Sequence, residues 1–207
     1  MVRIAAISAS VAVAALLGGI WYISRPAPDS DIFAQCRTSR IAGGAEQIGG
    51  AFTLIDKTGQ TVTDKDVITE PSLVYFGYTF CPDVCPMDTA RNADAVDVLD
   101  EMGYSVTPVF ISIDPDRDTP EAVGDFAGNL HEKMIGLTGS AEQVKAASMA
   151  YRTYYKKQPG DDEYYLVDHS TFTYLTLPGH GFVELFRRDD TPEQMAERTA
   201  CFIDAAK

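Results

Sequence analysis

Cys81 and Cys85 are separated by Pro82, Asp83 and Val84, and Pro86 follows at once. A thiolate is both a nucleophile and a soft metal ligand, so this pair suits two chemistries: a redox disulfide, or capture of copper or zinc. Pro86 has no N–H and would clash with the carbonyl four residues back, so it cannot lie deep in a helix. Either a helix starts near Pro86, or residues 82–86 form its distorted first turn. In both cases the thiols lie at a helix N-terminus, where the dipole favours thiolates. Helix geometry would put the two Cα atoms roughly 6 Å apart, within disulfide reach. The usual reductase spacing is Cys-x-x-Cys, one residue shorter. The wider gap lets both sulfurs turn towards one ion.

A metal would need a third ligand, and the chain has three histidines. His180 sits in a Pro-Gly-His-Gly turn and reads as a solvated loop tip. His131 follows a helix ending at Leu130, where imidazole suits the dipole. His169 lies in Val167-Asp168-His169-Ser170-Thr171, between two predicted strands, where a loop could reach the helix start. From spacing alone, His169 reads equally as a ligand or as a hydrogen-bonded turn residue.

The surrounding elements place these residues. Residues 51–55 and 60–63 flank Asp56-Lys57-Thr58-Gly59, a hairpin pattern. Residues 72–78 and 106–113 are apolar runs that read as buried strands. Between them a helix is expected from Pro86 to about Met102, with a stop at Gly103. Thr119-Pro120 pairs a capping hydroxyl with a first-turn proline and starts another helix. Residues 134–137 make a brief strand. Capping boxes at Ser140-Ala141-Glu142-Gln143 and Thr191-Pro192-Glu193-Gln194 open two more helices, to about Thr153 and through Ile203. Residues 164–167, 171–177 and 182–186 read as strands. This alternation predicts a three-layer α/β domain with helices on both faces of one sheet. Cys81 then falls at a strand-to-helix junction, where open α/β sheets place their ligands.

The first segment sets the compartment. Residues 4–23 carry no charge and end in Trp21 and Tyr22 before Ile23. About 20 apolar residues span a bilayer, and aromatic residues suit the headgroup interface. With Arg3 ahead of the run, residues 1–3 are expected to be a cytoplasmic stub and the remainder to face outward. The competing reading is a cleaved signal peptide, whose apolar region usually runs to about 7–15 residues. Either reading exports the domain. An Arg- and Ser-rich transit peptide is absent, so a bacterial inner membrane with a periplasmic domain is favoured over a mitochondrial membrane. Residues 24–48 read as a linker or arm that begins with a stiff Pro-containing spacer, and residues 49–207 as the domain. Only Arg3 and Arg25 are charged before Asp29, so without them the formal net charge of −13 becomes −15. Such acidity gives no purchase on nucleic acid, whose phosphates call for Lys and Arg.

The run Tyr75-Phe76-Gly77-Tyr78-Thr79-Phe80-Cys81-Pro82-Asp83-Val84-Cys85-Pro86 resembles the signature of the Sco/SenC family. Ser112-Ile113-Asp114-Pro115-Asp116-Arg117-Asp118-Thr119 resembles its second motif. Asp168-His169-Ser170 resembles its third, with Tyr165 and Leu166 ahead of it. The likeness covers about residues 49–203, with the motifs in order. It implies a thioredoxin-like domain on one N-terminal membrane helix, binding one copper ion through Cys81, Cys85 and His169. It also implies a role in assembling the copper centre of cytochrome c oxidase. Subunit II would be the copper acceptor, and other copper chaperones or thioredoxin-like reductases would be further partners. Two thiolates, a neutral imidazole and copper(I) sum to −1, and with copper(II) to zero.

Asp114, Asp116 and Asp118 read either as turn formers or as carboxylates that orient a ligand. Asp114, which ends a strand, is the one expected to face the site, with Arg117 as ion partner or merely exposed. Cys36 and Cys201 lie outside the motifs and are expected to form a structural disulfide, the alternative being two separate thiols. The rival function is a thiol–disulfide oxidoreductase using Cys81 and Cys85, with His169 as spectator or base. A peroxidase is a weaker third reading, because Thr79 stands one residue off a peroxiredoxin's Thr-x-x-Cys. A closed zinc site would take four ligands where three are apparent.

Overall fold

The computed structural model describes residues 16–19, 21, 31–38, 47–161 and 164–207. The expected membrane span at residues 4–23 lies outside the described residues except for 16–19 and 21. The expected arm at 24–48 does so except for 31–38, 47 and 48. Among the described residues no helix is long and apolar enough to cross a membrane. The chain divides into two units, residues 1–34 and 35–207. In the first, Leu16–Gly19 and Trp21 are helical. The second carries the site.

Its strands are β1 (Thr53–Asp56), β2 (Thr61–Thr63), β3 (Ser72–Gly77), β4 (Thr107–Ser112), β5 (Ile135–Thr138), β6 (Tyr155–Lys157), β7 (Val167–His169), β8 (Thr173–Leu177) and β9 (Gly181–Phe186). Its helices are α1 (Asp64–Val67), α2 (Val84–Glu101), α3 (Pro120–Leu130), α4 (Ala141–Ala150) and α5 (Pro192–Ala205). Seven strands form one sheet in the order β2-β1-β5-β4-β3-β8-β9. β3, β4 and β5 run parallel, and antiparallel strands flank them on both sides. Every residue of β3, β4 and β8 is buried. Both faces of the sheet centre are therefore covered, which makes three layers of the thioredoxin-like kind.

Local chemistry explains the boundaries. Gly59 takes φ +80° in the β1–β2 turn, a conformation that favours glycine. Thr119, Ser140 and Thr191 accept from the N–H three residues on and so cap α3, α4 and α5. α2 starts two residues earlier than Pro86 alone suggests, so Pro86 occupies the first turn, where a missing N–H costs nothing. Two elements escape the sequence pattern. α1 is a four-residue turn held by Thr63 and Asp66. β6 pairs antiparallel with β7 as a separate two-stranded sheet, with Tyr155 opposite His169. The strand expected at residues 164–167 is thus displaced, and His169 ends a strand instead of lying in a loop. The reason is that β6 has three residues with its two lysines exposed, too short and polar to show alternation.

Cys36 and Cys201 are bonded, with Cα atoms 5.7 Å apart. The bond ties the arm to α5 across 165 residues of chain. Beside it the Arg37 Nη1 donates to the Val183 carbonyl (2.6 Å) and the Thr38 N–H to the Glu184 carboxylate (3.0 Å). Glu184 is fully buried, so the arm supplies part of what its charge requires. Replacing both cysteines by serine should lower the unfolding free energy by about 2–4 kcal/mol. Chemical denaturation checks this, and an unchanged midpoint would mean that the bond adds no stability.

Candidate metal centre

Three parts of the chain meet at the start of α2. β3 delivers the loop 78–83, α2 delivers Cys85 in its first turn, and β7 delivers His169. The Cys81 and Cys85 sulfurs and a His169 ring nitrogen all lie within 4.8 Å of one another. Cys85 Sγ stands 3.3 Å from His169 Nε2. Nδ1 of the same ring is 2.8 Å from the Ser170 carbonyl oxygen. A carbonyl only accepts, so Nδ1 carries a proton and Nε2 faces the sulfurs: the neutral ring offers a metal its lone pair there, and the protonated ring offers a thiolate an N–H. Both cysteines are free thiols and both are buried.

The hydrogen bond between the two sulfurs makes them unequal. The Cys85 thiol donates to Cys81 and is the main cause that holds the Cys81 thiol down, to about 3, against the opposing effect of burial. The His169 ring and the N–H groups of Asp83 and Cys85 add to it. The Cys85 N–H lies 3.3 Å from the Cys81 sulfur, an orphan donor of a helix start turned to use. Cys85 itself is pushed up, first by its bond to Cys81 and then by burial.

Several residues hold this geometry. A Cβ on Gly77 would stand 2.9 Å from the rings of Phe110 and Tyr75 and 3.1 Å from the Cys85 sulfur, so the strand end leaves room only for glycine. Tyr75 and Tyr78 meet the His169 ring edge-on, at 6.2 and 5.9 Å between centroids. The Tyr75 hydroxyl donates to the buried Asp88 carboxylate on α2 (3.1 Å), which pairs with Arg188 Nε at 3.2 Å. Asp118 is buried and accepts from the Thr79 N–H (3.0 Å), the Thr79 hydroxyl (2.5 Å) and the Ser112 hydroxyl (2.6 Å). It therefore fastens the cysteine loop to the end of β4.

The three aspartates have separate fates. Asp114 is buried and binds the Tyr165 hydroxyl and, at 2.6 Å, Arg117 Nε. Those partners hold its two carboxylate oxygens, so it supports the metal group through them. Asp116 is on the surface, 3.5 Å from Lys157 Nζ. The carboxylate that grips the cysteine loop is Asp118, which sequence pattern cannot single out among three alternating aspartates. Asp88 and Tyr75 lay outside the expected site as well. Their roles depend on α2 crossing β3, which no local motif announces. His131 lies elsewhere, its Nε2 3.3 Å from Asp97 and its Nδ1 accepting from the Lys133 N–H. His180 is at the exposed β8–β9 turn.

Two soft sulfurs and an imidazole suit copper or zinc. The electrostatics yield a pH test on the metal-free domain. The thiolate ultraviolet absorbance of Cys81 should persist as pH falls and vanish only near about 3, whereas an ordinary thiol loses it below about 8.5. His169→Ala removes one stabilising partner and should move that midpoint upward. Thiolate absorbance lost together from both cysteines near the ordinary value would contradict the assigned hydrogen bonds.

The SCO1/SenC family pattern matches residues 41–204. Protein SenC of Rhodobacter capsulatus is 53% identical over 204 residues, covering 98% of this chain and 91% of the relative. The crystal structure of Arabidopsis thaliana ScoI with copper bound superposes with TM-score 0.72 at 40% identity, over 76% of this chain and 99% of that one. Bradyrhizobium japonicum ScoI with copper bound gives TM-score 0.67 at 36% identity, over 74% and 98%. With fold, sequence and the cysteine–cysteine–histidine group in agreement, the chain belongs to the SCO1/SenC family.

Proposed function

We propose that this chain is a copper metallochaperone. It holds one copper ion between Cys81, Cys85 and His169 and passes it to the copper centre of cytochrome c oxidase during assembly, with subunit II as acceptor. The observation that carries the reading is the convergence of two soft sulfurs and an imidazole nitrogen within 4.8 Å, in a family whose relatives have been solved with copper bound. A set of three leaves coordination incomplete, so an incoming ligand from an acceptor can join before the first three let go. The buried sulfurs and the tyrosine walls keep water from the thiolates meanwhile. Cys81, already ionised at neutral pH, is the first sulfur to engage. Cys85 gives up its proton as the ion neutralises the cost of two neighbouring negative charges.

The same sulfur pair supports a second reading, a thiol–disulfide oxidoreductase. What favours it is the inequality of the two thiols, since a low Cys81 beside a raised Cys85 is the pattern of an attacking and a resolving cysteine. The two activities differ in their need for His169.

The proposal extends to place. The uncharged run at residues 4–23 would anchor the chain in a bacterial inner membrane, and the exposed Leu16, Leu17 and Trp21 suit a lipid contact. A Cys36–Cys201 disulfide suits the oxidising periplasm into which the domain would project.

In cells, the full chain should stay with carbonate-washed membranes and support oxidase assembly at limiting copper. The purified protein should bind one copper, and Cys81→Ser or Cys85→Ser should abolish tight binding. His169→Ala should keep some copper(I) on two sulfurs and lose copper(II), which prefers nitrogen and oxygen donors. If His169→Ala supports assembly fully while either cysteine variant does not, the oxidoreductase reading replaces the chaperone.

A further inference from the structure

The hairpin that carries His169 is not part of the main sheet. Among the described residues β7 pairs only with β6, and that two-stranded sheet stands apart from the seven-stranded one. No β-ladder therefore holds His169 at its distance from the cysteines. Side chains must do so, and they converge on Arg117.

The Arg117 guanidinium lies 3.5 Å from the ring centroid of Tyr165, 4.8 Å from that of Phe80 and 5.7 Å from that of Tyr78. Its Nε is 2.6 Å from Asp114 Oδ2, while the Tyr165 hydroxyl takes Oδ1 of the same carboxylate. The side chain is only 11% exposed. These partners come from three segments. Tyr78 and Phe80 belong to the loop that ends in Cys81. Asp114 and Arg117 belong to the loop after β4. Tyr165 lies two residues before β7 and four before His169. Lys157, on β6, covers Tyr165 as well, 3.7 Å from its centroid. One further bond crosses the same gap, from the Val167 N–H to the Tyr78 hydroxyl at 3.3 Å.

We infer that Arg117 is the positioning residue that couples His169 to the cysteine pair. Its guanidinium lies over the Tyr165 ring before the hairpin's second strand and near the Phe80 and Tyr78 rings of the cysteine loop, while Asp114 fixes its direction. Guanidinium suits this task because it is flat, permanently charged and weakly hydrated, so it can stack on rings and hold a carboxylate at once. Arg117 acts on the three donor atoms through these rings, since a guanidinium is no metal ligand. It sets the distance between them, so its loss opens the three-donor site towards a two-sulfur one. This inference rests on the reading that all three donors hold copper.

Arg117→Met is the test, made on the full domain. Copper(II) affinity should fall roughly ten- to hundredfold, as when outer-shell partners are lost, with its sulfur charge-transfer spectrum altered. Copper(I), which two sulfurs can hold, should fall much less. In a His169→Ala background Arg117→Met should add nothing, because the residue acts through the histidine. Arg117→Lys keeps the charge and the Asp114 partner without the plane and should lose copper(II) in the same direction. Unchanged copper(II) binding in Arg117→Met, an undiminished effect without His169, or full rescue by lysine would each overturn the inference. Hydrogen exchange on metal-free protein separates its failure from that of the copper reading. Faster exchange confined to β6 and β7, with β3 and β4 unchanged, is expected in Arg117→Met whatever metal binds. Exchange there as slow as in the parent would refute it.

Discussion

Two sulfurs at a helix start and one imidazole 84 residues further on must meet within a few ångströms. That closure is non-local, and most of the site's architecture serves it. The cysteines come from the fold's firmest part, since β3 lies between β4 and β8 with every residue buried. The histidine comes from a small hairpin outside that sheet. The pairing of a rigid element with a tethered one makes the surrounding tyrosines, Asp118 and Arg117 necessary. They do not bind the ion, yet each removes a way in which loop and hairpin could drift apart.

The inequality of the thiols follows from the same closure. The helix starts only at Val84, Cys81 stays outside it, and the N–H groups of the turn point back at its sulfur. Cys85, one turn inside and fully buried, has no water to stabilise a charge. One thiolate is therefore available at neutral pH, and the second appears only when a cation offsets the repulsion. A copper carrier and a disulfide exchanger both need that arrangement, which is why the sulfur pair alone does not separate them and the imidazole does.

Much of this was legible in the chain. The strand–helix alternation, the capping boxes at Ser140 and Thr191, and the thiols at a helix start depend on residues close in sequence, and the structure has the same architecture. What sequence hid depends on contacts across the fold. His169 reads as a loop residue because its partner strand, Tyr155–Lys157, is three residues long with exposed lysines. Asp114, Asp116 and Asp118 look alike at alternating positions. Only packing sends the first to Arg117 and Tyr165, the second to the surface and the third to Thr79. The short helix at Asp64–Val67 had a signal, Thr63 with Asp66 three residues on, but the preceding strand residues masked it.

In the proposed function all three donors bind one copper ion together. X-ray absorption at the copper edge, on the anaerobically loaded domain, tests it without reference to activity or to a partner. The proposed site should give a copper(I) shell of two sulfur scatterers and one imidazole, with no second copper nearby. A shell lacking either the second sulfur or the imidazole would contradict it.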